Sequence, residues 1–256
     1  MIDVVSLIPD GIVRHLAVLV VVVPLMLSPI CAAIPSWRVS WAVVLGGIGV
    51  SLLFAIALVQ QSMSGEPLVY ALGGWAPPLG ISFVIDRLNA PFILLISFIG
   101  FLATIFALPT IMKDIVEEKR SLFFAAYLMC VGGLLGMTVT GDAFNLFVFL
   151  EISSISTYVM VALGATRDRR ALPAAFNYLI MGTIGASFFV VGVGFLYAAV
   201  GTLNMADMAE RIQPLQDSRV VQAGFAFILV GLGLKAAMFP LHQWLPSAYA
   251  YAPSFV

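Results

Sequence analysis

Seven stretches of this chain are apolar for long enough to matter, at roughly 12–34, 39–60, 88–111, 121–140, 143–164, 172–200 and 219–238. An α-helix needs about 20 apolar residues to cross the ~30 Å hydrocarbon core of a bilayer. The pattern therefore predicts an all-α integral membrane protein of about seven transmembrane helices. Short connections join most of them: Pro35 to Arg38, Lys113 to Arg120, Gly141-Asp142, and Thr166 to Arg170. A longer segment, 201–218, carries Asp207, Glu210, Arg211 and Asp217 and reads as surface. Another, 61–87, holds two short apolar runs around a Gly/Pro cluster. That arrangement predicts a short β-hairpin over 67–86 at the membrane interface, with Tyr70 and Trp75 as interfacial aromatics. Residues 239–256 contain Pro240, Pro246 and Pro253 and read as a broken continuation of the seventh helix. Proline removes a helical hydrogen bond, so the expected break is at Pro240.

Composition supports the membrane reading. Hydrophobic residues make up 62% of the chain and charged residues 10%, against roughly 25% charged in a soluble domain. Mean hydropathy is +1.09. A net charge of -1 offers nothing for nucleic-acid binding. Cys31, Cys130, His15 and His242 show no metal-ligand spacing, so neither a metal nor a cofactor is expected. Both cysteines read as small hydrophobes. Asp3, Asp10 and Arg14 precede the first apolar run, whereas a secretory signal needs a positive flank. The run is expected to be a retained helix.

Loop charges set the expected orientation. Arg38, Lys113, Lys119, Arg120, Arg167, Arg169 and Arg170 fall on one side, and Arg14, Arg87, Arg211 and Arg219 on the other. The richer side should be cytoplasmic, with the N-terminus outside a plasma (inner) membrane. Asp86 and Asp142 sit where acids cap helix N-termini. The cluster Lys113, Asp114, Glu117, Glu118, Lys119, Arg120 reads as a solvated loop.

Two charges do not avoid the bilayer. A charge at its centre costs ~2.5–3.5 kcal/mol on insertion scales. Glu151 lies nine residues past Asp142, roughly 14 Å into the fifth predicted helix. Ser154 and Tyr158 follow one and two turns on, on the same face. Lys235 lies 15 residues past Val220, roughly 22 Å along the seventh. Both helices enter from one side, which puts the acid and the base at similar depth. A static pair locking two helices is one reading. The other is a switchable proton carrier, because unwound backbone at membrane depth lies beside protein or a water-filled cavity. On that reading Lys235 keeps its proton while Glu151 is close and releases it when that partner is lost. His242 is either a relay step or a histidine hydrogen-bonded at the break. Thr183 and Ser187 either order water or bond back to their own helix.

Two long motifs resemble a known family. Asp142-Ala-Phe-Asn-Leu-Phe-Val-Phe-Leu-Glu151-Ile-Ser-Ser resembles the fifth-helix signature of the antiporter-like membrane subunits. Lys235-Ala-Ala-Met-Phe-Pro-Leu-His-Gln-Trp-Leu-Pro resembles their broken seventh helix. Those subunits serve respiratory complex I, membrane-bound hydrogenases and Mrp-type cation/proton antiporters. Within that superfamily, the segments 72–81 and 201–207 look most like the Mrp D subunit. The resemblance implies a part in Na⁺/H⁺ exchange, other antiporter subunits as partners, and roles in proton transfer for Glu151, Lys235 and His242. It further implies one transmembrane domain over 1–256, with three leading helices to 112 and an incomplete first inverted repeat over 121–256. Family members have about fourteen helices, so a split gene or a fragment is expected. The competing readings are a pump subunit of an NADH:quinone oxidoreductase or hydrogenase complex, and a non-transporting scaffold. No Cys cluster or GxGxxG is present, so any redox activity would belong to partner subunits.

Overall fold

The computed structural model describes residues 4–63 and 65–254; Asp3 lies outside them. A single turn, α1 (Asp10–Val13), precedes α2 (Leu16–Ala33) and α3 (Trp37–Met63). Strands β1 (Leu68–Ala71) and β2 (Ser82–Ile85) follow, then α4 (Ala90–Asp114), α5 (Glu117–Val139), α6 (Ala143–Leu163) and α7 (Ala171–Val200). The chain continues through α8 (Met205–Ile212), α9 (Arg219–Lys235) and α10 (Trp244–Tyr251). The strands pair antiparallel with Leu68 opposite Ile85, which is the expected hairpin.

Among the described residues, six helices, α2 to α7, are long and apolar enough to cross a membrane. The seventh crossing differs from expectation. Helix α9 has 17 residues, about 26 Å, and stops at Lys235 rather than running to 238. The break thus opens ahead of Pro240. A proline ring clashes with the carbonyl four residues back and restricts the residue before it. Both effects act upstream, on Ala236 and Phe239. The helix end closes as a Schellman turn: Met238 N–H donates to Gly233 O at 2.8 Å and Ala237 N–H to Leu234 O at 3.2 Å. Ala237 takes the left-handed position, φ 51°. The eight-residue α10 then carries the chain to the far end of the bundle, where Pro253 lies against Gly164.

Polar groups gather at the two ends. At one, His15 meets Tyr70 across 2.8 Å, Gly141 N–H donates to Ser82 O, and Asp142 bridges to Asn204. At the other, Trp37 Nε1 donates to Glu117, and Asp114 pairs with Arg167. This corrects the expected loop over 113–120. Only Ile115 and Val116 separate α4 from α5, and Asp114 is buried. Its carboxylate accepts from Arg167 Nη1 at 3.3 Å and from the Ser254 N–H and Oγ at 3.0 Å each. The 201–218 segment is also not plain surface, since it contains α8, whose Met208 is buried.

The main apolar core lies among α2 to α5, around Ile48, Ile93, Phe123, Phe124 and Leu128. Helices α7 and α9 meet along a seam of glycines. Gly231 faces the Gly185 carbonyl and the Phe189 backbone, and Gly192 faces the Gly224 carbonyl one heptad away. Small residues let helix backbones approach closely where lipid supplies no hydrophobic drive. The seam fixes how closely α9 lies against α7.

Candidate functional site

Local sequence sets the position of each charged group. Asp142 caps α6, its Oδ1 accepting from Asn145 N–H at 2.7 Å. Glu151 then falls eight residues into the 21-residue helix, about 12 Å along it. Lys235 is the last residue of α9, where the helix dipole favours a cation. Its Nζ donates to Glu151 Oε1 at 2.9 Å and to Ser154 Oγ at 2.7 Å. The two side chains are 13% and 20% exposed for Lys235 and Glu151. An ammonium has three donors, and two of them are used by these contacts.

A cavity of about 210 Å³ adjoins Ser154. Ser153, Thr157, Cys130, Tyr178 and Tyr249 are among the residues that line it. At roughly 30 Å³ per water it has room for several.

The remaining expected residues are placed differently. Tyr158 is buried, and its hydroxyl rests against Gly182 with no hydrogen-bond partner among the described residues. His242 is exposed, its ring centroid 5.6 Å from that of Phe239. Among the described residues no hydrogen bond joins it to Lys235. Thr183 and Ser187 are exposed on α7 and donate to Leu179 O at 2.7 Å and Thr183 O at 2.9 Å in their own helix. Pro240 lies in the turn after the break, four residues beyond the Ala236 cap.

Two aromatic residues at the break were not assigned a role from sequence. Trp244 Nε1–H donates to Leu234 O at 3.1 Å. Its ring stacks on Tyr178 at 4.1 Å and 5°, and Tyr178 meets Tyr158 edge-on at 4.5 Å. The only sequence signal was the proline spacing around Trp244, which said "break" without saying what satisfies it.

Long apolar helices, a last apolar helix that breaks, and an acid and a base joined at the break mark a multi-pass membrane protein. Residues 140–256 match the family described as NADH:quinone oxidoreductase/Mrp antiporter, transmembrane. It is 44% identical over 243 residues to the N subunit of NADH-quinone oxidoreductase from Desulforudis audaxviator, covering 94% of this chain and 48% of the relative. Identity to the D-type polypeptide of the Na(+)/H(+) antiporter from Alkalihalophilus pseudofirmus is 33%, covering 85% of this chain and 42% of the relative. A chain of the membrane-bound sulfane sulfur reductase, an archaeal respiratory membrane complex, superposes with a TM-score of 0.80 at 35% identity, over 93% of this chain and 48% of that one. The chain thus spans about half the length of the relatives it matches.

Proposed function

We propose that this chain is a proton-translocating subunit of a multisubunit cation/proton antiporter, in which the Glu151–Lys235 pair gates proton transfer. The observation that carries the reading is the 2.9 Å contact between an acid in mid-helix and a base at a helix break. Taking the partner charge away from a largely buried ammonium leaves it to release its proton, and restoring the partner lets it reload. The cavity beside Ser154 supports water access to the pair. In this reading His242 passes protons onward, and protons and Na⁺ are the transported ions. The loop charges favour an N-terminus outside the plasma membrane.

The 44% identity to an oxidoreductase N subunit favours a second reading. There the same pair serves a redox-driven pump, with electron carriers in partner subunits. Purifying the complex through this chain separates the two: flavin or iron–sulfur absorbance with NADH oxidation favours the pump, and its lack favours the antiporter. In either case, Glu151→Gln and Lys235→Ala should each lower proton movement in membrane vesicles more than tenfold, or about 1.4 kcal/mol in barrier. The assembled complex should survive both changes. Wild-type rates in an assembled Lys235→Ala complex contradict the proposal and leave a scaffold.

A further inference from the structure

Helix α9 ends at Lys235, next to the buried Leu234, and its last carbonyls need donors that the helix no longer supplies. The Schellman turn satisfies Gly233 and shares Leu234. Leu234 also receives a side-chain donor from beyond the break, the Trp244 indole N–H at 3.1 Å. Leu234 is bonded directly to Lys235, whose Nζ reaches Glu151 and Ser154. The indole is itself held. It is 6% exposed, stacked on Tyr178, which braces Tyr158 on the Glu151 helix. One ring therefore ties three elements, α6, α7 and α10, to the residue before the base.

We infer that Trp244 is a positioning residue for Lys235: its N–H on the Leu234 carbonyl and its stack on Tyr178 hold the end of α9 so that the ammonium meets Glu151. The inference rests on the proposed function and adds to it the group that sets the pair's geometry. Without the indole donor, the Leu234 carbonyl loses its tie to α10, and the last turn of α9 is free to turn Lys235 away from Glu151. The ring's bulk alone does not replace that bond, so Phe is not an equivalent residue here.

The test uses the assembled complex in vesicles. W244F should lower the exchange rate about tenfold and displace its pH dependence, since the residue that titrates has changed surroundings. Combined with Glu151→Asp, which keeps the carboxylate, the loss should be less than the product of the two single losses, because both changes act on one contact. Tyr178→Leu, which removes the stack and leaves the N–H, should displace the pH profile in the same direction by a smaller amount. A W244F rate within twofold of wild type on an unmoved pH profile overturns the inference. So does a loss that simply multiplies with Glu151→Asp. Failure of both W244F and Tyr178→Leu to assemble also overturns it, by making the ring a structural support. An active Lys235→Ala complex would instead sink the proposed function, whatever W244F does.

Discussion

At the scale of single residues, position along the helix carried most of the information. Glu151 and Lys235 stood out because charge is costly in hydrocarbon, and a fixed rise per residue gave their depths. The structure joins them at 2.9 Å. The role of Trp244 was illegible, since an indole in an apolar run reads as ordinary core until the carbonyl it caps is known. Ala237 was equally hidden: nothing local marks an alanine for a left-handed turn. L-residues pay for that conformation and glycine does not. Ala237→Gly should therefore raise stability by about 0.5–1 kcal/mol, read as a higher unfolding temperature of the purified complex. An unchanged or lower value contradicts the strain at φ 51°.

At the scale of elements, the hairpin and six of the helices follow from pattern alone. The seventh helix came out shorter than its apolar run because proline acts on residues before it. The α7–α9 seam could not be read either. Gly185, Gly192, Gly224 and Gly231 are scattered across two helices, and only the fold sets them opposite one another. A methyl group on Gly231 would stand 2.6 Å from the Gly185 carbonyl oxygen and 2.7 Å from the Phe189 nitrogen. Backbone cannot step aside as a flexible side chain does. Gly231→Ala should cost about 1–3 kcal/mol of stability and slow exchange by shifting α9, and Lys235 with it. Thermal unfolding and vesicle exchange on one preparation check both effects. Full stability with full exchange would mean that the seam does not position the base.

For the whole molecule, the split crossing links the two polar ends. Helix α9 starts at the end that holds the hairpin, and the chain after α10 finishes on Asp114 at the other. Asp114 looked like one charge in a solvated loop because its partners, Arg167 and Ser254, lie 53 and 140 residues away in sequence. Asp114→Ala should leave the Ser254 N–H without its acceptor, at a cost of about 1–3 kcal/mol. Faster hydrogen–deuterium exchange over 252–254 is the expected sign, and unchanged protection there speaks against the clasp. Glu151 and Lys235 lie between these anchored ends, at the level where the last helix is interrupted. The central claim is that protons pass through this pair. Its most direct test is proton flux through proteoliposomes holding the assembled complex with Lys235→Ala. The expected flux is at least tenfold below wild type in an intact complex, and wild-type flux in that complex would contradict proton passage through the pair.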